Sequence, residues 1–367
     1  MSVSLADSHR NLALDATGRC EVSAELAAKI SQFKLPEPLG FGAVMAPIMY
    51  RSQYRNGVWN DGELLPYGPI PLDPAAKVLH YSQEIFEGMK AYRVGGGRPT
   101  LFRPLANWQR FNDSAQRLCM PELPSEIFME GVTAISRSLT ELIPTQAGQS
   151  LYLRPFMIGV DANLSLGASN DNDFYVIASP SEIYHNGDLR VFVEREGSRA
   201  AVGGTGNVKV GGNYAAALAS GKKAVSGGFD QTLWLDPREN RYIEELSGMN
   251  VFAVVKGKLI TPQLSGSILP GITRDSIITL VQAWGMDVGQ QQIDIDELFG
   301  QLRSGDCSEV FACGTAATVS AFSCLADALG NRVELAPEHP IAERVRAGLI
   351  DIQEGRSSDE FSWRFLV

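Results

Sequence analysis

Lys209 is the one lysine in the stretch "GGTGNVKVGGNY", residues 203 to 214, where five of twelve residues are glycine. Glycine-rich chain around a lysine suits several chemistries, and the spacing tests each. A phosphate-cradling loop needs GxxxxGK followed by Ser or Thr, whereas Val208 precedes Lys209. The "GKK" at 221–223 fails as well, because Ala216 stands where the first glycine belongs. A dinucleotide fingerprint starting at Gly204 and Gly206 would need glycine at 209 and meets the lysine instead. No GxSxG serine elbow is present. What remains is the amine itself as the reactive group, condensing with an aldehyde, of which pyridoxal phosphate is the commonest. Glycines beside such a lysine let the backbone come close to a cofactor. The residues alone leave a plainer reading open, a solvated lysine on a glycine-rich surface loop.

An aldehyde cofactor of this kind also needs a partner for its ring nitrogen and a site for its phosphate. Glu245, at the end of "RYIEEL", is a carboxylate that could keep a pyridine nitrogen protonated. "LPGIT", 269–273, opens a helix and offers free N–H groups at a positive helix end. Arg110 could add a countercharge. It lies on a helix read from "LANWQRFNDSAQRL", where Leu105, Trp108, Phe111, Ala115 and Leu118 form one apolar stripe. Arg110 points away from that stripe, toward solvent or a ligand.

The elements that must position these residues fall into two halves. A loose arm of about 30 residues comes first. Strand-like runs follow around 44–60, ended by "NDGE", and "SLYLRPFMIG" and "DFYVIAS" are further strands. "SPSEIYHNGD", 179–188, is turn-rich and suits a linker. In the second half Asn213 is a candidate cap for a helix through "YAAALASGKKAV". "TLWLD" and "RYIEEL" are strands, and "VFAVVKGKLITP" is a hairpin turning at Lys256–Gly257–Lys258. "GITRDSIITLVQAWG" is a helix with Thr273 as candidate N-cap and Gly285 as its stop. "EVFACGTAA" runs from strand into a small-residue turn, and "PIAERVRAGLIDIQEG" is a last helix.

Composition sets the outer limits. The 367 residues are enough for two domains, with 44% hydrophobic and 20% charged residues. A net charge of −10 argues against nucleic acid, though not against a small anion held in a local basic pocket. No apolar run reaches the roughly 18 residues of a membrane span, and "MSVSLADSHRNLALD" lacks signal-peptide character. The expectation is a soluble cytoplasmic protein. The five cysteines form no CxxC pair and are read as buried thiols, and four scattered histidines without HExxH suggest no metal site.

Five stretches, "VLHYSQEIFEGMKAYR", "GGTGNVKVGGNYAAAL", "RYIEELSGMNVF", "SGSILPGITRDSI" and "EVFACGTAA", resemble the branched-chain amino acid aminotransferases. These are pyridoxal-phosphate enzymes of fold type IV, and the likeness runs from about Gly40 onward. It implies an α/β (α+β) fold of two domains with the cofactor in the cleft between them. The expected division is an arm at 1–35, a small domain at 36–178, a linker at 179–188 and a large domain at 189–367. The resemblance further implies a homodimer or a dimer-based assembly.

Carried over by residue, Lys209 matches the Schiff-base lysine and Glu245 the ring-nitrogen carboxylate. Tyr214 matches the tyrosine on the cofactor's phenolic oxygen, and Arg199 a further arginine nearby. Arg110, the backbone at Ile272 and Thr273, and Thr315 match the phosphate site. Phe41, Tyr81, Phe86, Tyr152 and Arg154 match the substrate pocket, with Ala316 beside Thr315 near the substrate carboxylate. Leu166 and Ala168 match a loop reaching the neighbouring subunit. The implied reaction moves the amino group of L-leucine, L-isoleucine or L-valine to 2-oxoglutarate, with ping-pong kinetics. A D-amino acid aminotransferase or an aminodeoxychorismate lyase of the same fold is the alternative. The chain departs from the pattern in three places. "FGAVMAPIM" lacks the Asp and His that members often carry after the "FG". Ala317 and Ser320 replace a CxxC, and Gly248 stands where some members have Thr.

Overall fold

The computed structural model describes residues 20–182 and 187–367. The start of the arm and the middle of the expected linker, with His9 and His185, lie outside the described residues. The later arm is not loose. Ala24–Gln32 is a helix capped by Ser23, and its Leu26 is buried in the first core.

The first sheet is antiparallel throughout and has nine strands. Its centre is Ser150–Gly159 against Asn172–Ser181, with Ile48–Arg55 beyond. The strand-like run at 44–60 divides into two strands because Asn56 and Gly57 take left-handed φ of 53° and 83°. The helices Pro104–Arg117 and Ser125–Ser138 belong to the same core. Leu105, Trp108, Phe111, Ala115 and Leu118 pack there as their spacing requires. The strand Asn172–Ser181 continues into the turn-rich stretch, and the strand Arg364–Leu366 returns to pair with Thr100–Phe102.

The second sheet is mixed and also has nine strands. Its middle runs Leu189–Val193, Thr318–Asp327, Cys307–Gly314, Asn250–Val255, Lys258–Pro262. The Lys256–Gly257 hairpin turns with φ of 50° and 77°, as expected of paired left-handed residues. Two apolar cores flank this sheet. One takes Ile295–Ser304, the other takes Ile272–Ala283 and Pro340–Gln353.

Local details differ from the sequence reading. Asn213 does not cap the helix Gly211–Ser226 but sits inside its first turn, buried. Its Nδ2 donates to Thr205 O at 2.7 Å and Val208 O at 2.9 Å, clasping the glycine-rich loop. Thr273 is not the N-cap of Ile272–Ala283, since Gly271 occupies that position. Cys307, Cys313 and Cys324 are buried, whereas Cys119 is exposed. Among the described residues no helix is long and apolar enough to cross a membrane.

Candidate active site

Lys209 is fastened to the first sheet through its main chain. Its N–H donates to Ser114 Oγ at 2.9 Å, and its carbonyl accepts from the Phe86 N–H at 3.1 Å. Val210 bridges Ile85. The glycine-rich loop must also pass close to the second half, where a Cβ at Gly206 would lie 2.2 Å from Ser267 O. The loop is therefore not a free surface excursion, which removes the plainer reading of Lys209. The Lys209 Nζ hydrogen-bonds the Tyr214 hydroxyl at 2.9 Å and stands 4.7 Å from the centre of the Phe86 ring.

One cleft brings together Lys209, Tyr214, Arg110, Arg199, Glu245, Ile272, Thr273 and Thr315. Glu245 is buried at its inner end. Its Oε1 meets Arg199 and accepts from the Leu269 N–H at 3.1 Å, and its Oε2 accepts from Asn250 Nδ2 at 2.9 Å. Burial pushes the carboxyl up to about 7 from an ordinary 4.5, against the opposing pull of Arg199 and the Leu269 N–H. Gly271 has no side chain to cap the helix Ile272–Ala283, and Ile272 and Thr273 of its uncapped first turn line the cleft. Glycine is demanded there, since a Cβ at 271 would meet Asn250 Oδ1 at 1.9 Å.

Of the two directions open to Arg110 in the sequence, solvent or a ligand, the structure gives the cleft. The side chain is buried, not presented to solvent, because Glu87 meets it. Arg110 Nε and Nη2 donate to the two Glu87 oxygens at 2.7 and 2.8 Å, a bidentate pair. A third bond, Nη1 to Pro270 O at 3.2 Å, aims the guanidinium at the helix start. Glu87 went unnoticed in the sequence. It sits in the break between Glu84–Phe86 and Met89–Tyr92, which both pair with Ser150–Gly159, and its N–H donates to Pro155 O at 2.8 Å. Burial alone would raise its carboxyl. The charge and hydrogen bonds of Arg110, with Lys209 and Asn107, outweigh that and hold it below the usual range. The available signal was an acid followed by glycine between apolar strand residues. Gly88 is required there, because a Cβ would lie 2.1 Å from the Tyr152 hydroxyl.

The substrate residues separate into two groups. Phe41 packs edge-on to Tyr152 at 4.9 Å. Arg154 Nη2 donates to the Tyr152 hydroxyl at 3.1 Å, and its guanidinium lies 4.7 Å from the Phe86 ring centre. The Arg154 Nε is buried with no partner among the described residues. These four join Lys209 through the shared Phe86 ring. Ala316 follows Thr315 in the turn after Cys307–Gly314. Tyr81, Leu166 and Ala168 do not join them. Tyr81 is exposed and its hydroxyl donates to Leu164 O at 2.5 Å, while Leu166 and Ala168 lie exposed on the same loop. Gly248 leaves open space, as a Cβ there would meet only Tyr214 at 4.0 Å.

A cleft between two α/β units, with a tethered lysine facing a buried acid and an arginine beside an uncapped helix, is the architecture of a transaminating enzyme. Comparison with known proteins agrees. Residues 84–323 match the model of the amino-transferase class IV family. The branched-chain-amino-acid transaminase 1 of Bacillus subtilis is 40% identical over 335 residues, 89% of this chain and 94% of that protein. The branched-chain-amino-acid aminotransferase of Mycolicibacterium smegmatis is 43% identical, over 88% and 91%. Among solved structures, the T.th. branched-chain amino acid aminotransferase complexed with N-(5'-phosphopyridoxyl)-L-glutamate superposes with a TM-score of 0.70 at 26% identity. That match covers 86% of this chain and 98% of that one. The Escherichia coli branched-chain enzyme gives 0.69 at 27% over the same shares. The chain belongs to the class IV aminotransferases, with the fold of type IV.

Proposed function

We propose that this enzyme transfers the amino group of L-leucine, L-isoleucine and L-valine to 2-oxoglutarate, giving branched 2-oxo acids and L-glutamate, with pyridoxal phosphate as cofactor. The carrying observation is the Phe86 ring, which has the Lys209 amine and the Arg154 guanidinium each 4.7 Å from its centre. A reactive amine and a guanidinium whose buried Nε has no partner among the described residues thus border one aromatic surface. Such a pocket takes a branched aliphatic side chain against Phe41, Phe86 and Tyr152, and takes the glutamate side-chain carboxylate at Arg154.

The residues fit the cofactor. Lys209 offers the amine and Tyr214 a hydroxyl beside it. Glu245 is an acid aimed into the cleft, and Arg199 next to it keeps a buried Nε without a partner among the described residues. Arg110, the N–H groups at Ile272 and Thr273, and Thr315 make an anion site where the Gly271 backbone comes too close to Asn250 for any Cβ. Bound there, pyridoxal phosphate supplies an aldehyde for amines to condense with and a ring that takes up electrons from the carbon being deprotonated. Lys209 Nζ removes the substrate Cα proton and later hands a proton back, as base and then acid. Tyr214 orients that amine. Glu245 holds a proton at the ring-nitrogen end. Thr315 and Ala316 receive the substrate α-carboxylate, while Arg154 and Tyr152 receive the distal one.

Tyr81, Leu166 and Ala168 are assigned to the mouth of the pocket, the last two in a neighbouring subunit. The same proposal divides the chain into small and large domains at about 36–178 and 189–367 and makes the enzyme a cytoplasmic homodimer or dimer-based assembly. The test is a panel of L- and D-amino acids with 2-oxoglutarate, run on the wild type and on Lys209→Ala. Turnover should favour the three branched L-amino acids and follow ping-pong kinetics. It should fall by about 10⁴-fold or more in the variant. Preference for D-amino acids, or near-normal activity of Lys209→Ala, would overturn the assignment.

A further inference from the structure

Glu87 is not the last buried charge of the "FEGMK" run. Lys90 lies three residues on, only 6% exposed, with its Cα opposite Tyr152 in the first sheet. Its Nζ donates to Ala316 O at 3.0 Å, a bond that crosses from the first sheet to a turn of the second. That turn joins Cys307–Gly314 to Thr318–Asp327 and is tight, with Thr318 at a left-handed φ of 61°.

The turn has two faces. Gly314 and Thr315 line the cleft that holds Lys209. Ala316, Ala317 and Thr318 line a separate cavity behind it, together with Lys90, Tyr92, Arg346 and Glu354. The carboxylate in that rear cavity is already engaged: Glu354 accepts from the Gly148 N–H at 2.6 Å and from Arg356 Nε at 2.8 Å. The hydrogen bond of the Lys90 ammonium goes to a main-chain carbonyl instead. Burying a lysine is costly unless its bond is useful. Fixing the Ala316 carbonyl also fixes the Ala317 N–H, which belongs to the same rigid peptide unit and points the opposite way.

We infer that Lys90 is a positioning residue for the substrate α-carboxylate, gripping Ala316 O from behind so that the Thr315–Ala316 segment keeps its place relative to Tyr152 and Arg154. The inference rests on the proposed function. Lys90 touches neither substrate nor cofactor. It sets the spacing between the half of the pocket on the first sheet and the half on the second.

The surroundings of Lys90 make the grip sensitive to pH. Burial lowers its pKa from 10.5 to about 8, with Glu354 opposing and Arg346 adding to the shift. Tyr92 on the same strand faces the cavity too. Burial and Glu354 raise its hydroxyl above the ordinary tyrosine value, so it stays neutral, bonded to Gln353. Below pH 8 the ammonium is present and the carbonyl is held by a charge-assisted bond. Above it the charge and much of the hold are lost.

The experiment compares wild type with Lys90→Met and Lys90→Arg as purified holoenzymes, with KM for 2-oxoglutarate as the main readout, since that substrate has no group titrating near pH 8. Lys90→Met should raise KM for both 2-oxoglutarate and L-leucine by about tenfold, the scale of a lost charged hydrogen bond. Its kcat should stay within about threefold and its cofactor occupancy unchanged by absorbance, because the group acts on binding alone. Lys90→Arg should recover part of the loss. Wild-type KM for 2-oxoglutarate should rise as pH passes 8, and the Lys90→Met profile should be flat there. Unchanged KM in a folded Lys90→Met overturns the inference. Should that variant not fold, a wild-type KM that is level through pH 8 overturns it equally. A wild type that turns over no amino acid would instead sink the functional reading and this inference with it.

Discussion

The floor of the cleft and its mouth are built on different terms. At the floor, Arg110–Glu87 and Arg199–Glu245 are buried ion pairs whose members also bond backbone and amide groups. At the proposed mouth, Tyr81 and Leu166 are 39% and 88% exposed, and the Tyr81 hydroxyl donates to Leu164 O of the loop that carries Leu166. The floor is finished before any ligand arrives, so its binding energy is not drawn down by ordering side chains. The proposed mouth is left exposed on one chain, which suits a surface that meets substrate and, in the proposed dimer, another subunit.

Breaking the floor should have the largest effect. Glu87→Gln leaves the Arg110 charge buried without its counter-ion, and losing one partner of a buried pair costs about 3–5 kcal/mol. The unfolding midpoint of the cofactor-free protein should therefore drop by several degrees. Added pyridoxal phosphate should raise it by more in the variant than in the wild type, because phosphate then supplies the missing anion. Equal shifts in both proteins would remove Arg110 from the phosphate site.

Glu245 offers a finer test of the same floor. Its folded pKa of about 7 lies above the ordinary 4.5, so the folded chain holds this proton more tightly than the unfolded one. The stability it contributes is complete below pH 4.5 and is lost as pH rises through 7. Cofactor-free wild type should thus gain stability relative to Glu245→Gln between pH 8 and pH 5, measured by thermal unfolding. Parallel curves would mean that the carboxylate is not desolvated. The mouth should respond least. Leu166→Ala should leave the unfolding midpoint within about 0.5 kcal/mol of equivalent stability, as exposed substitutions do. It should raise KM for the branched substrates only several-fold, since a few methylenes in a pocket are worth about 1–3 kcal/mol. No change in KM would place that loop outside every pocket.

Much of this was legible in the sequence because local chemistry decides it. The stripe from Leu105 to Leu118 marks the helix, Lys256–Gly257–Lys258 marks the hairpin, and five motifs in order mark the family. What failed was the reach between distant segments. Arg110 reads as facing either solvent or a ligand because its counter-ion lies 23 residues earlier on another element. Lys90 reads as an ordinary strand residue because its acceptor lies 226 residues away. Asn213 and Thr273 are good capping types, yet Asn213 is more useful inside the helix holding the loop. Gly271 takes the cap position because a Cβ there would meet Asn250 Oδ1 at 1.9 Å. A helix without a side-chain cap looks, in sequence, like one whose cap is the next polar residue.

The fastening of Lys209 to the first sheet has a kinetic side. Glu245, Asn250 and the helix from Ile272 belong to the second half, so the cleft is a vise with the amine on one jaw and the acid on the other. The jaws are tied by Arg110 to Pro270 O, by Lys90 to Ala316 O, and by Arg103 to Ser276 and Asp275. Of these ties, Lys90 to Ala316 O and Arg103 to Ser276 and Asp275 lie outside the proposed cofactor residues. Pyridoxal phosphate held by both jaws would then exchange at a rate that depends on contacts away from its own binding residues.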